Sequence, residues 1–191
     1  MAKQDDFEHV EVTSRAGWRA WLEANHTQAE SIWLVTYKKA AGEKYVPFGD
    51  IVEEAICFGW IDSRVGKVDA LRSRCIVAPR RTASAWSAVN KKIVAKMTKA
   101  GLMQPAGLAK IAAAKKNGMW TFLDDVEAGV IPDDLAVAFR KHRGARSNFD
   151  AFPRSTRRAT LEWIKTAKKT ETRAKRIAET AAKSAQNQRP R

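Results

Sequence analysis

The chain has 191 residues, of which 45% are hydrophobic and seven are tryptophan, so it can bury a core and is not disordered by composition. A polar amino terminus and the lack of any apolar run near ~20 residues predict a cytoplasmic protein without a membrane span. The formal net charge of +14 favours an acidic partner, and two cysteines are too few for a disulfide framework.

Three elements are predicted near the amino terminus. Residues 7–12 alternate loosely between apolar and polar side chains, which predicts a short edge strand. Thr13 or Ser14 can cap a helix that ends near residue 25. The β-branched and aromatic run at 31–39 predicts a second strand.

A second helix and a strand pair are predicted next. The helix runs over about Phe48–Cys57, with its apolar face toward the core and Asp50, Glu53 and Glu54 on the outer face. Gly59 stands just past its end, where a left-handed residue closes the last turn. Two short strands around a turn follow.

The remainder is predicted to be helical. One helix begins at Thr82 or Ser84 and ends at Gly101, and further helices follow it. Thr170 is predicted to cap the last helix, and residues 187–191 are predicted to be a disordered tail.

These elements predict an α+β fold without internal repeats. A small antiparallel sheet packed with helices is expected over residues 1–130, and an all-helical basic C-terminal module is expected over 131–191. The charge follows this division. Residues 139–191 hold 16 Lys and Arg against 4 Asp and Glu, a net charge of +12, and the rest of the chain has a net charge of +2.

The sequence predicts no catalytic residue, metal site or cofactor. Cys57 lies at the carboxyl end of its predicted helix, where the helix dipole disfavours a reactive thiolate. The three histidines are scattered, and no His, Cys or Asp cluster has the spacing of metal ligands. The motif GLMQPAG has neither the preceding strand nor the Lys and Ser/Thr of a phosphate loop.

An anion pocket is predicted where two polar and aromatic stretches would meet. Trp60, Asp62 and Arg64 alternate, so an extended strand would project them on one face. The second stretch would begin a helix, whose free amides favour anions. In the alternative interpretation, an arginine pairs with Asp62 and both tryptophans fill the core. The candidate ligand-binding residues are Trp60, Asp62, Arg64, Arg80, Ser84, Trp86 and Asn90.

The carboxyl-terminal helices predict a basic stripe that would bind a polyphosphate backbone in a salt-dependent manner. No motif that reads base sequence accompanies it. A solvated face without a partner is the alternative. The candidate nucleic-acid-binding residues are Arg157, Arg158, Lys165, Lys168, Lys169, Arg173, Lys175 and Arg176.

Several motifs, in order along the chain, together resemble the YdeI/OmdA family, which is named for bacteriocin protection and association with an outer-membrane porin. They are WLEANH at 21–26, IWLVTYKK at 32–39, EEAICFGWIDSR at 53–64, PRRTASAWSAVNK at 79–91, GLMQPAG at 101–107, DDLAVAF at 133–139 and STRRATLEWIKTAKKTETRAKRI at 155–177. The family's helical C-terminal module corresponds to roughly 131–183. The resemblance implies a stress-related context and supplies no catalytic residues.

Three functions follow as hypotheses. The first is a non-enzymatic cytoplasmic binding protein for stress or bacteriocin tolerance, which engages nucleic acid or another anionic partner through the basic helices. The second is a binding protein or enzyme with an anionic ligand in the predicted pocket. The third is a protein-interaction module whose basic face keeps it in solution.

Overall fold

The computed structural model describes residues 6–190 of the chain, which forms two compact units, Met1–Thr121 and Phe122–Arg191. The first unit contains, in order, β1 (Glu8–Val12), α1 (Arg15–Asn25), β2 (Ile32–Tyr37), a 3-10 helix (Lys39–Lys44), α2 (Phe48–Cys57), β3 (Trp60–Lys67), β4 (Arg72–Pro79), α3 (Ala88–Lys99) and α4 (Pro105–Lys116). The second contains α5 (Asp124–Glu127), α6 (Asp133–Arg140), α7 (Ala145–Ala151), α8 (Arg154–Lys165) and α9 (Thr170–Ala185). The α+β class with a helical carboxyl-terminal part is confirmed.

The sheet is mixed rather than wholly antiparallel. Its strand order is β1-β2-β4-β3; β4 pairs antiparallel with both β2 and β3, whereas β1 pairs parallel with β2. The reason is that α1 connects β1 to β2, and a helical crossover returns the chain in the same direction. The β3–β4 pairing sets Trp60 opposite Pro79, and its register shifts between Asp62 and Val65.

Helices α1 and α2 cover the core face of this sheet. The Ser14 hydroxyl caps α1 by accepting from the backbone N–H of Gly17 at 3.0 Å, as the sequence predicted. Trp18 and Leu22 of α1 are fully buried in one cluster with residues of β2 and α2. Burying this apolar surface positions the end of α2 against the start of β3.

The outer-face prediction for two acids of α2 is wrong. Glu53 is 8% exposed and Glu54 is 2% exposed. Glu54 accepts from Arg15 Nε and from Arg19 Nη1, each at 2.7 Å. Because the guanidiniums of α1 reach them, these carboxylates are buried with partners, which helical periodicity cannot foresee.

Helix α3 begins later than predicted. Its first residue is Ala88, and its cap is Ser87, whose hydroxyl accepts from the backbone N–H of Asn90 at 3.3 Å. The chain from Arg80 to Ser87 is therefore a loop, and Ser84 is not at a helix start. The predicted helix amides are consequently not beside Ser84.

The helical unit has its own core. Phe149 of α7 is fully buried, with Phe139 at a ring distance of 5.2 Å and Phe152 at 6.3 Å. The short helix α5, which lies before the predicted boundary at 130/131, packs on α8 in this unit. Lys169 precedes α9 as its N-cap, so Thr170 is the first helical residue and not the cap.

The predicted tail is described as far as residue 190. Asn187 has a positive φ of 54°, and the backbone N–H of Gln188 donates to Lys183 O at 2.9 Å, which closes the end of α9. Lys183 Nζ also donates to Pro190 O at 3.4 Å. Residues 187–190 are thus tied to α9, and the final residue, Arg191, lies outside the described residues.

Candidate anion-binding cleft

Arg80 is the most unusual side chain in the first unit because it is charged and only 2% exposed. Its backbone N–H donates to Gly59 O at 2.9 Å, which joins the end of β4 to the start of β3. The guanidinium stacks on Trp86 with its central carbon 3.7 Å from the ring centroid, and Nη2 donates to Ala85 O at 2.5 Å. Nε and Nη1 are buried without a hydrogen-bond partner.

The charge of Arg80 is only partly compensated. Burial lowers the pKa of Arg80 to about 10, so the guanidinium stays protonated at neutral pH. Asp62 is close enough to oppose this shift, yet among the described residues no ion pair within 4.0 Å involves either side chain. Burial also raises the pKa of the Asp62 carboxyl above its ordinary value. Two nitrogens of this buried guanidinium therefore lack a hydrogen-bond acceptor, which is costly for a buried charge.

An open cleft of about 630 Å³ lies at this end of β3 and β4, a size typical of small-molecule sites. Its cationic lining residues are Arg80, Arg81 and Lys110. Its polar lining residues are His26, Thr27, Gln28 and Ser31, and no acidic residue lines it. Arg81 also borders a neighbouring cleft that is lined by Asp6, Glu8 and Glu30. The less compensated positive charge therefore lies with Arg80 and Lys110.

Two glycines bring α4 to the cleft. Gly59 has a φ of +77°, and a Cβ there would lie 2.8 Å from Lys110 Cγ and 3.1 Å from Ala106 O. A Cβ on Gly107 would lie only 2.2 Å from Cys57 O. The backbone N–H of Gln104 donates to the same carbonyl oxygen at 3.1 Å. The motif GLMQPAG is thus a backbone docking motif that sets Lys110 in the cleft wall.

Only some of the predicted pocket residues lie at the cleft. Trp60 and Arg80 line the cleft, although Trp60 is nearly fully buried and donates from Nε1 to His26 O at 3.0 Å. Trp86 lies under Arg80 in a second core cluster with Ile56 and Val94.

The other four candidates are not among the lining residues of the cleft. Asp62 is close enough to Arg80 to act on its pKa but does not line the cleft. Arg64 is exposed and falls within the register shift between Asp62 and Val65, which breaks the predicted alternation with Trp60. Ser84 lies in the loop before α3, and Asn90 lies in the first turn of that helix.

Sequence reasoning missed Lys110 and His26. Lys110 lies on a helix that reaches the cleft only through tertiary docking, and its signal was the glycine pair at Gly59 and Gly107. His26 follows α1, and its Nδ1 lies 2.9 Å from Leu22 O, which assigns the proton to that nitrogen.

Both thiols are buried and free. Burial raises the pKa of Cys57 to about 11 and the pKa of Cys75 to about 12. Neither is activated as a nucleophile at neutral pH. Among residues 6–190, no group of three His, Cys, Asp or Glu side chains could hold a metal ion.

The buried acids of α2 form an ion-pair network away from the cleft. Glu53 pairs with Lys96 of α3 and with Arg15, whose Nη1 lies 3.0 Å from Glu53 Oε2. Burial acts to raise the pKa of Glu53, but hydrogen bonds from these cations hold it below its ordinary value. The network joins α1, α2 and α3 and leaves no excess positive charge for an anionic ligand.

The basic stripe predicted on α8 and α9 is largely engaged within the helical unit. Arg158 pairs with Glu127 at 2.9 Å, Lys165 with Asp125 at 2.6 Å, and Arg173 with Asp134 at 2.7 Å.

The other five candidates of the stripe differ in exposure. Arg176 donates to Trp163 O and lies over the Trp163 ring. Arg157 is half-buried, and three lysines are exposed: Lys168, Lys169 and Lys175. The exposed, unpaired charge of the stripe is therefore smaller than the sequence predicted.

The charge asymmetry also depends on where the chain is divided. Residues 122–191 hold 16 Lys and Arg against 9 Asp and Glu, and residues 1–121 hold 19 against 12. Each unit thus has a net charge of +7. The acids of α5 and α6 offset the basic helices that follow them.

Within the described chain, no helix has the length and apolar character needed to cross a membrane.

Two family models match the chain. The model described as Domain of unknown function (DUF8412) matches residues 10–110, and the model described as Bacteriocin-protection, YdeI or OmpD-Associated matches residues 128–187. The resemblance drawn from the motifs is therefore confirmed for the C-terminal part, while the motifs at 21–107 lie within the first match. No curated protein and no solved structure matches the chain.

Proposed function

The chain belongs to the family described as Domain of unknown function (DUF8412), and from that premise we propose that it is a binding protein for small organic anions. The ligand enters the cleft at the end of β3 and β4, and its carboxylate or phosphate group meets the positive wall formed by Arg80 and Lys110. The cleft lies within residues 26–110, almost wholly inside the matched region.

The observation that supports the proposal is that Arg80 is buried and that two of its nitrogens lack a hydrogen-bond acceptor. A buried cation with two unused donors costs free energy in the unliganded chain, about 1–3 kcal/mol for each unsatisfied donor. An acceptor oxygen that reached Nε or Nη1 would make a charge-assisted hydrogen bond with the guanidinium. Because Nε and Nη1 are buried, an anion reaches them only when the guanidinium shifts toward the cleft, and the hydrogen bonds gained there offset the cost of that shift.

We propose binding without catalysis. The thiol nearest to the cleft, that of Cys57, is fully buried, and burial raises its pKa to about 11. The neighbouring carboxylate, Asp62, is not a lining residue. Neither of these two groups thus supplies an activated nucleophile to the cleft.

The test is a thermal unfolding screen of the full chain with acetate, citrate, inorganic phosphate and adenosine monophosphate. Sodium chloride at matched ionic strength is the reference. A binding anion raises the unfolding temperature with its concentration. The variants Arg80→Met and Lys110→Gln, each checked by circular dichroism, lower the affinity about tenfold or more, equal to at least about 1.4 kcal/mol. Lys116→Gln, an exposed change on the same helix, leaves it unchanged.

Two results contradict the proposal. One is that no anion raises the unfolding temperature above the chloride reference. The other is that a folded Arg80→Met variant binds as tightly as the wild type, because Arg80 would then stabilise the loop alone.

A second candidate function is nucleic-acid binding at the helical end, favoured by the exposed cluster of Lys168, Lys169 and Lys175. Duplex DNA is titrated at several salt concentrations with Trp163 as the local fluorophore. Replacing the three lysines by alanine reduces the slope of log K against log salt by about 0.9 for each phosphate that the variant no longer neutralises. A salt slope equal to that of the wild type removes this candidate.

The cellular context is proposed from the second family description. Ligand capture would contribute to bacteriocin or stress tolerance, as the words bacteriocin protection suggest. We place it in the cytoplasm, since a reducing compartment keeps thiols such as Cys57 and Cys75 free. Deleting the gene and restoring either wild type or Arg80→Met tests the link, because only a chain that binds its ligand would restore tolerance.

A further inference from the structure

A second, smaller cavity belongs to the helical unit, is partly open to solvent and has three arginines in its wall. Its volume is about 130 Å³, and Arg154, Arg157 and Arg158 line it from the first two turns of α8. Glu127 is its one acidic lining residue, so the side chains around it have a net charge of +2. At liquid density it would hold about four waters, which is room for one small oxyanion.

Two of the arginines are held by Glu127. Arg158 donates from Nε to Glu127 Oε1 at 2.9 Å and from Nη1 to Glu162 Oε2 at 2.8 Å. Arg154 donates from Nη2 to Glu127 O at 3.2 Å. The carboxylate of Glu127 is therefore neutralised by Arg158, and these contacts hold two guanidiniums at the cavity.

The third arginine, Arg157, has an unsatisfied hydrogen-bond donor. Arg157 Nε is buried and has no hydrogen-bond partner. The first turn of α8 contains no acidic residue, although the positive end of a helix dipole favours acids and disfavours cations there. Arg154 and Arg157 at that end of α8 thus lack the acidic partner that Arg158 has, and one bound anion would supply the missing negative charge.

The rest of the wall is apolar. It includes Val126, Ile131, Phe149 and Leu161, which lower the local dielectric and strengthen any ion pair formed inside. The guanidiniums come from two successive turns, so their donors approach from different directions. A tetrahedral oxyanion presents acceptors in several directions and fits such donors better than a planar carboxylate.

We propose that this cavity is a binding site for a phosphate-class oxyanion, held by Arg157 and Arg154 beside the Arg158–Glu127 pair. The site is separate from the cleft of the first unit and does not depend on it. It gives the C-terminal helical unit an anion-binding role of its own, through arginines that line a cavity rather than through the exposed lysines.

The test is a two-dimensional NMR titration of the full chain with inorganic phosphate, with sodium chloride at matched ionic strength as the reference. Backbone signals of residues 127–131 and 154–158 shift along a saturating curve, and the side-chain Nε–H signal of Arg157 shifts with them. Signals of Gly59 and Arg80 report binding in the cleft of the first unit, so phosphate binding at the two sites is measured independently.

Variants decide whether the arginines act on the ion. Arg157→Gln and Arg154→Gln each weaken phosphate binding about tenfold or more, whereas Arg143→Gln, exposed in the same unit and outside the cavity wall, leaves it unchanged. Glu127→Gln strengthens binding, because it removes the carboxylate that competes for Arg158. Shifts that follow chloride equally, or equal affinity in wild type and Arg157→Gln, overturn the proposal.

Discussion

Replacing Gly107 by alanine tests whether α4 is docked backbone to backbone on the α2–β3 junction. The new Cβ would lie 2.2 Å from Cys57 O and 2.8 Å from Ile56 O, and neither atom belongs to a flexible side chain. Ordinary contact begins near 3.4 Å, so the helix must retreat by about 1.2 Å. This retreat would stretch the hydrogen bond from Gln104 N to Cys57 O, which is 3.1 Å long.

The expected cost is the balance of three effects. Overpacking costs about 1–3 kcal/mol. Loss of the hydrogen bond costs about 1 kcal/mol. Alanine in a helix gains about 0.8–1.0 kcal/mol over glycine. The free energy of unfolding should therefore fall by about 2 kcal/mol, and the displaced Lys110 should weaken ligand binding in the cleft.

The assay is urea unfolding followed by tryptophan fluorescence, since six of the seven tryptophans lie in the first unit. With an m-value of about 2 kcal/mol/M, the midpoint should fall by about 1 M. The matched control is Gly49→Ala in α2, where a Cβ meets nothing within 4 Å and stability should rise by about 0.5 kcal/mol. A Gly107→Ala variant as stable as the wild type would refute the close approach of α4.

Three further predictions concern buried ionisable groups. Glu54→Gln should lower the free energy of unfolding in urea by about 3–5 kcal/mol because it breaks a buried ion pair. The control Glu23→Gln, an exposed change in the same network, should lower it by about 0.5 kcal/mol or less. Cys57 and Cys75 should resist Ellman's reagent at pH 8 in the native chain and react fully in urea. The reason is that burial raises the pKa of Cys57 to about 11 and the pKa of Cys75 to about 12. Rapid labelling of the native chain would contradict this. Since the pKa of Glu53 is lowered from 4.5, its pairing stabilises the chain above that pH and is lost as pH falls through the lowered value. Glu53→Gln should flatten the acid side of the stability profile, and an unchanged profile would count against the pairing.

Local signals were predicted well from the sequence. The bounds of α2 agree with the prediction, Ser14 caps α1, and Gly59 has the positive φ expected of a residue that closes a helix. Each of these features depends on neighbours within a few residues, namely apolar spacing, a capping hydroxyl or the freedom of glycine. The α+β class followed because these elements alternate before the chain becomes wholly helical.

Features that depend on distant residues were not predictable. Three hydroxyls could begin α3, and local propensity does not select Ser87 over Ser84 or Thr82. Burial of Glu54 depends on guanidiniums that are 35 and 39 residues away. The cleft was predicted in part, through Arg80, but its second cation arrives only when α4 docks. The free charge of the basic stripe was overestimated because its acidic partners, such as Asp125 and Asp134, lie on α5 and α6, before residue 139.

The contact between α4 and the α2–β3 junction also has a consequence for folding kinetics. It joins Gln104 to Cys57 across 47 positions of the chain, and it can form only after α2 has ended and Gly59 has turned the chain into β3. Contacts that form late leave the folding rate unchanged and set the rate of unfolding. We expect the cleft to assemble after the turn from α2 into β3 has formed and to open when α4 detaches from it. An anion bound there would slow the unfolding of that unit. It would therefore increase the kinetic stability of the unit as well as its thermodynamic stability.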